Sequence, residues 1–240
     1  ELSCLRSNLI GGLLNLINKN NNKNHQNISV FEMGPVFTGI TPGDQVDQLT
    51  IVRSGKAVDK NWTEENRNFD VFDIKSDLIS IMKLLKLPVN KIRIEKEKKK
   101  YFHPGKTGAV FFSDKKIASL GELHPSVAKK FKIKNSVIIL ELYLSNVFAF
   151  CKKENNTKSK LVSSNFQSSV RDFSFEIDKD MQSIDLVNHI KNIDRKIISD
   201  VRVFDNFVSK DLRSIALEVV IQSDIKTLTE EEINKLSERI

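Results

Sequence analysis

Cysteine is nearly absent: Cys4 and Cys151 are the two in 240 residues, too few for a disulfide framework and outside any metal-ligand spacing. They read as ordinary thiols of a reducing cytosol. No apolar run approaches the roughly 18 residues that span a bilayer. The opening Glu1-Leu2-Ser3 has no initiator Met and none of the basic and apolar regions of a signal peptide. These absences point to a cytoplasmic protein with no membrane partner and agree with a piece of a longer chain. A Gly-rich phosphate loop, a Cys/His metal cluster and a G-x-S-x-G elbow are missing too. The histidines, His25, His103, His124 and His189, have no Ser, Cys or carboxylate constellation recurring beside them. His103 and His124 each precede proline, where histidine is ordinarily a turn residue, and a general base needs positioned partners. Asp70 and Asp73 suit a helix N-terminus better than acid–base work. No catalytic, cofactor-binding or metal-ligating residue is assigned.

What is present is ordinary for a globular chain: 40% hydrophobic and 29% charged residues, in a length that suits one large domain or two ordinary ones. The formal charge of +7 is unevenly placed. Glu1–Asn156 carries 25 Lys and Arg against 16 Asp and Glu, net +9, whereas Thr157–Ile240 carries 13 against 15, net −2. The basic residues are densest from Lys91 to Lys134. Lys and Asn are abundant throughout, so a solvated surface and a phosphate-facing patch are both open readings.

In the first part, apolar spacing predicts a helix over Leu5–Ile17, with Gly11-Gly12 implying a close packing contact. A polar loop follows over Asn18–Asn27, then strands at Ile28–Phe37 and Gln48–Ser54 around a Thr41–Asp44 turn. An amphipathic helix over Asp70–Leu87, with Phe72 in its stripe, is ended by Pro88. A hairpin turns at Ser113–Lys115, a short helix spans His124–Phe131, and Ser136–Leu144 is an apolar strand. Lys152–Lys160 lacks hydrophobes and reads as a linker.

Beyond it the pattern sharpens. Val170–Asp178 alternates with Phe173, Phe175 and Ile177 inward. Ser183 is placed to cap a helix carrying Leu186, Val187, Ile190 and Ile193. Ile197–Phe207 is a second strand, and Ser214–Gln222 alternates with Ile215, Leu217, Val219 and Ile221 inward. Thr229 and Glu232 form a capping box. The order β-α-β-β-α is a split β-α-β fold that lacks its last strand. Such a sheet leaves one face open, a surface that single-stranded RNA uses. The outward positions of the first and third strands hold Ser174, Glu176, Ser214, Ala216 and Glu218, so the usual aromatic platform is absent there; Phe204 and Phe207 are the nearby aromatics.

Seven ordered segments carry a resemblance: Leu5–Leu13 (LRSNLIGGL), Val30–Phe37 (VFEMGPVF), Phe72–Asp77 (FDIKSD), Phe102–Lys106 (FHPGK), Leu120–Pro125 (LGELHP), Val170–Phe173 (VRDF) and Lys226–Glu232 (KTLTEEE). Through them the chain resembles the C-terminal part of the bacterial phenylalanine–tRNA ligase (phenylalanyl-tRNA synthetase) β-subunit family. The resemblance implies an α+β chain. Residues 1–150 would be a class II synthetase-like domain with a mixed or antiparallel sheet, catalytic-like but inactive, packing on the α subunit of an α2β2 enzyme. Residues 151–162 would be a linker, and 163–240 a ferredoxin-like anticodon-binding domain truncated before its last strand. It implies binding of the tRNA-Phe anticodon through Ser174, Asp205, Phe207 and Ser214, and no cofactor in this stretch, ATP and Mg2+ being used by the whole enzyme. Asp205 would accept from a guanine edge and Phe207 would stack on that base. Strict alternation from Val201 and Val203 would turn Asp205 inward, so it is expected at or past the end of its strand. Gln167 stands where the family has proline. The rival reading is a protein-interaction scaffold with no RNA recognition of its own.

Overall fold

The alternating segments of the sequence become two antiparallel sheets, each in its own compact unit, Glu1–Asn155 and Asn156–Ile240. The computed structural model describes residues 4–59, 61–63, 65–151, 164–178, 181–209 and 212–240. The expected linker, Cys151 apart, lies outside them. The α+β class agrees with the expectation.

The first unit contains α1 (Ile10–Asn21), β1 (Ile28–Phe37), β2 (Gln45–Ser54), α2 (Val71–Leu84), β3 (Ile92–Lys96), β4 (Phe102–Phe112), β5 (Lys115–Leu123), α3 (Pro125–Lys130), β6 (Val137–Tyr143) and α4 (Leu144–Phe148). The sheet order is β1-β2-β6-β5-β4-β3, with every neighbouring pair antiparallel. Both faces are covered, which is why β6 is an almost unbroken apolar run. Ile74, Leu78 and Met82 of α2 pack with Leu120, Leu140 and Leu142 in one core. Ile10, Leu13, Leu14 and Ile17 of α1 pack with Val52, Leu123 and Ile139 in the other.

Three expectations change here. The first helix starts at Ile10, because residues before it lie along β1: Phe37 N donates to Arg6 O at 2.8 Å and Arg6 Nε donates to Pro35 O at 3.0 Å. Gly34 makes room for that approach, since a Cβ there would sit 2.6 Å from Arg6 Nη2. The helix then runs on to Asn21, into the stretch expected as loop. Gly11 and Gly12 mark no close contact; a Cβ would meet nothing within 4 Å at Gly11 and only Glu32 Oε2 at 3.6 Å at Gly12. Phe72 is exposed and sits outside the buried stripe of α2.

Asp70 and Asp73 do serve the N-terminus of α2. Asp70 Oδ1 accepts from Phe72 N and Asp73 N, and Asp73 Oδ2 accepts from Asp70 N. The Arg67 guanidinium, hydrogen-bonded to both oxygens of Asp73, holds that carboxyl below the usual carboxylate range despite partial burial. Of the histidines before proline, His103 lies in β4 and not in a turn, and His124 is the N-cap of α3. His103 Nδ1 accepts from Gly105 N at 3.1 Å, and His124 Nδ1 caps α3 through Ser126 N at 3.2 Å. Cys4 and Cys151 are not joined in a disulfide.

Glu141, mid-strand in β6, is 2% exposed. A lone carboxylate there would cost several kcal/mol. Gln48 Nε2 donates to Oε1 at 3.0 Å, while Lys99 Nζ and Tyr101 OH donate to Oε2 at 2.7 and 2.5 Å. Lys99 Nζ also donates to Tyr143 OH at 2.9 Å. Burial pushes the Lys99 ammonium down, but the Glu141 charge and these hydrogen bonds outweigh it and the net shift is upward. Burial, with Glu141 beside it, pushes the Tyr101 phenol up. β2 and β6 are thus tied to the segment between β3 and β4 by one buried charge.

The second unit contains β7 (Ser169–Ile177), α5 (Ser183–Ile193), β8 (Ile198–Val208), β9 (Arg213–Ile221) and α6 (Glu230–Ser237), the expected β-α-β-β-α order. Its sheet runs β7-β9-β8, and β7 is an edge among the described residues. Leu186 and Ile190 of α5 and Ile233 and Leu236 of α6 cover one face. The Thr229–Glu232 capping box forms. Ser183 does not cap α5; it is the first helical residue, and its Oγ accepts instead from Arg213 Nη2 at 2.8 Å.

Lys99→Met, which strands the Glu141 charge, is expected to destabilise the first unit by about 3–5 kcal/mol in urea denaturation. Adding Glu141→Gln should recover most of that loss. A neutral single variant would show that Lys99 does not hold the buried charge.

Candidate nucleic-acid interface

The open face of the second sheet is registered on its central strand. Ile215, Leu217, Val219 and Ile221 of β9 are all 0% exposed, so Ser214, Ala216, Glu218 and Val220 face the other way. Across the sheet, Ser174 stands opposite Ala216 and Ala216 opposite Asp205; Glu176 stands opposite Ser214 and Ser214 opposite Phe207. The four residues expected to meet the anticodon therefore share one face in two adjacent rows. With strands about 4.8 Å apart and successive rows about 7 Å apart, they fit a patch of about 10 by 7 Å.

Asp205 corrects the sequence reading. It lies inside β8, three residues before its end. Val201 and Val203 pair with Val219 and Leu217 on the core side, as alternation requires, and the register then shifts between Val203 and Asp205. Phe204 is the extra residue of this β-bulge, and beyond it the phase of the strand is reversed. Asp205 and Phe207 face outward for that reason. A single-residue insertion leaves no mark on composition, and alternation read from either end of β8 gives contradictory faces; that contradiction was the available signal.

The chemistry of the face divides by row. Ser174 Oγ and Ser214 Oγ are 3.1 Å apart and share a hydrogen bond. Asp205 Oδ1 accepts from Asn206 N at 2.7 Å, which fixes the carboxylate and leaves Oδ2 without a partner among the described residues. Phe207 is 65% exposed and Phe204 60%, two rings held in water beside an acceptor. Farther along β8 the face is ionic. Arg202 Nε meets Asp200 Oδ2 at 2.9 Å, Arg202 Nη1 lies 3.7 Å from Glu218 Oε1, and Lys191 Nζ meets Asp200 Oδ1 at 3.1 Å. Burial pushes the Asp200 carboxyl up, but Arg202, Lys191 and the Val201 amide together bring it below its ordinary value. One end of the face is self-paired; the other presents acceptors, hydroxyls and rings.

Sequence reasoning missed Arg213, the first residue of β9. It donates to Asn206 Oδ1 at 3.0 Å, to Met181 O at 2.7 Å and to Ser183 Oγ at 2.8 Å. One guanidinium thus ties β8 to β9 and both to the start of α5, on the side away from the face. Its fork of donors suits three acceptors in different directions.

Among the described residues no group of His, Cys, Asp and Glu is placed to hold a metal ion, and no helix is long and apolar enough to cross a membrane.

Two family descriptions match the chain: "Phenylalanyl tRNA synthetase beta chain CLM domain" over residues 1–144 and "Ferredoxin-fold anticodon binding domain" over residues 164–240. Similar curated proteins carry the name phenylalanine–tRNA ligase beta subunit. That of Paramagnetospirillum magneticum is 30% identical over 244 residues, covering 100% of this chain and 31% of the relative. That of the Wolbachia of Brugia malayi is 33% identical over 248 residues, covering 100% and 30%. That of Ehrlichia canis is 33% identical over 246 residues, covering 100% and 31%. The chain spans about a third of the length of these relatives. Among solved structures, a pyrrolysyl-tRNA synthetase from Desulfitobacterium hafniense aligns at a TM-score of 0.45 and 16% identity, over 60% of this chain and 49% of that one.

Because Phe207 stands on the open face, Phe207→Ala should leave the stability of the second unit within about 0.5 kcal/mol, the range of surface changes. Ile215→Ala, on the other face of the same sheet, should cost about 2–5 kcal/mol. Thermal denaturation of the two variants checks the assignment, and a large loss for Phe207→Ala would place that ring in the core.

Proposed function

The chain belongs to the phenylalanyl-tRNA synthetase β-chain family, and on that premise we propose that it is a non-catalytic portion of a phenylalanine–tRNA ligase β subunit that binds the anticodon of tRNA-Phe. In this reading residues 1–150 are the catalytic-like, inactive domain, 151–162 the linker and 163–240 the anticodon-binding domain. The chain supports the α subunit within an α2β2 enzyme of the cytoplasm, and that whole enzyme uses ATP and Mg2+ to join phenylalanine to its tRNA.

The observation that carries the RNA reading is the common face of Ser174, Ser214, Asp205 and Phe207. A guanine offers N–H groups on its Watson–Crick edge, and a held carboxylate with one oxygen unpartnered is a complementary acceptor. An exposed ring one row away supplies a stacking surface for an unpaired base, about 1–3 kcal/mol. The paired hydroxyls donate and accept as a neighbouring base requires. With a net charge of −2, this unit gains little from bulk attraction to phosphate, so recognition rests on shape and hydrogen bonds. A subunit partner for the first unit is supported by β1. This edge strand presents Phe31 and Met33, 71% and 66% exposed, more apolar surface than a lone strand edge ordinarily leaves in water.

The test is binding of the full chain to tRNA-Phe and to the same tRNA with a substituted anticodon. The parent should prefer tRNA-Phe. Phe207→Ala should weaken tRNA-Phe binding by about 1–3 kcal/mol, and Asp205→Ala should erase discrimination more than affinity. Equal affinity of the parent for both tRNAs would overturn the anticodon reading and favour the protein scaffold.

A further inference from the structure

The basic stretch Lys91–Lys134 sorts into two classes. Four of its cations are matched: Lys99 by Glu141, Lys106 by Glu122, Lys116 by Glu97 and Arg93 by Glu95. Nine lysines have no ion pair among the described residues, and three of these, Lys129, Lys132 and Lys134, line a single groove of about 460 Å³ between α3 and the start of β6. The fold gathers them. The chain leaves α3 at Lys130 and turns through Lys132, φ 55°, where Lys132 N donates to Lys129 O at 3.1 Å and Ile133 N to Ala128 O at 2.9 Å. That closing turn buries Ile133 in the core under α1 and leaves the lysines before and after it exposed. The one carboxylate lining the groove, Glu122, is already engaged by Lys106 at 2.6 Å. Asn135 and Ser136 add neutral polar groups to the rim.

We infer that this groove is a contact for the phosphate backbone of RNA, separate from the anticodon face. The inference rests on the reading that the chain binds tRNA. Like charges crowded without counter-charges repel one another, and an anion relieves that repulsion. Lysine is a point charge that suits a flexible line of phosphates, whereas planar carboxylates of a protein partner favour arginine forks; the groove contains no arginine. The second unit, at net −2, supplies no general attraction to a polyanion, while the first carries the net +9. The counterion-release part of RNA affinity must then come from the first unit, and this groove concentrates it.

The experiment measures tRNA-Phe binding to the full chain across a KCl series. One variant is Lys129→Gln/Lys132→Gln/Lys134→Gln. A control, Lys19→Gln/Lys23→Gln/Lys83→Gln, removes the same charge elsewhere. All six lysines are without ion pairs among the described residues, and the groove three are exposed, so folding is preserved and checked by circular dichroism. The groove variant should reduce the slope of log K against log salt by about 2–3, near 0.9 per phosphate lost, and keep anticodon discrimination. The control should change it by about 1 or less. Equal changes in both triples, or none in the groove triple, overturn the proposal; the latter is also the result expected if an acidic protein occupies the groove. If the parent fails to discriminate anticodons while the groove slope effect persists, the anticodon reading fails and the groove stands. If the parent does not bind tRNA at all, both fail.

Discussion

Every side chain of the proposed reading face takes its position from β9. This strand is central, paired on both edges, and four of its nine residues are wholly buried aliphatics. Each such side chain is worth about 1.5–3 kcal/mol of burial, and a one-residue slip would expose all four together. The register is therefore fixed by the core. The proposed contact residues on β7 and β8 inherit it through pairing and need no contact with one another to be placed. The bulge at Phe204, the second of two register shifts along β8, is the departure that matters for this face. It leaves Val201 and Val203 facing the helices and turns the last residues of the same strand to the open side. Arg213 then pins the far end of the hairpin from behind through Asn206, which the reversed phase puts on the opposite side of the sheet from Asp205 and Phe207. Without that shift Asp205 and Phe207, half of the proposed site, would face the helices.

This explains which parts were legible in the sequence. Alternation and capping are local properties, and the features resting on them alone stand as read: the inward Phe173, Phe175 and Ile177, the Thr229–Glu232 box, the Asp70–Asp73 start of α2 and the β-α-β-β-α order. The misreadings share a different cause. The start of α1 depends on Arg6 meeting β1 some thirty positions later in the chain, and Asp205 depends on a count of residues across a ladder. Ser183 has the right chemistry for a cap, but a guanidinium from β9 takes its hydroxyl. In each case a contact between segments distant in sequence outweighed a local preference worth about 1 kcal/mol. Ser174 and Ser214 were placed outward by alternation, and the structure keeps them there; their roles came from the resemblance, not from the pattern.

The first unit shows the same priority of long-range contacts in its polar interior. Glu141 is flanked along β6 by Leu140 and Leu142, and nothing local justifies a carboxylate there. Its donors come from β2 and from the segment leading into β4. A buried ion pair is weak evidence for stability, since an apolar replacement can do as well. What it contributes is registry: the Lys99–Tyr101 segment must bring both of its donors to Oε2 while Gln48 of β2 meets Oε1. Composition counts Lys99 among the surface charges of a basic run, and the structure removes it from that count. The charge open to a ligand is thus smaller than the formal charge, and its location is sharper.

That sorting bears on how affinity and specificity divide. Interactions of unpaired lysines with phosphate are long-ranged and are screened over a Debye length of about 8 Å at physiological salt. A ring stacked on a base and a carboxylate meeting a base edge are short-ranged and far less sensitive to salt. In most small RNA-binding surfaces the two kinds of contact are interleaved and their contributions hard to separate. Here the unpaired cations are concentrated in a unit with net +9, while the stacking and accepting groups lie in a unit with net −2. An acceptor such as Asp205 is itself anionic and would be repelled by neighbouring phosphates. In the proposed reading, placing it where one of its oxygens is already held by a backbone amide, beside hydroxyls and a ring, would let it discriminate between bases without relying on charge. On that reading the attraction that brings an RNA to the chain would be supplied elsewhere, and the lysines left over after Glu141, Glu122, Glu97 and Glu95 have taken their partners are the groups placed to supply it.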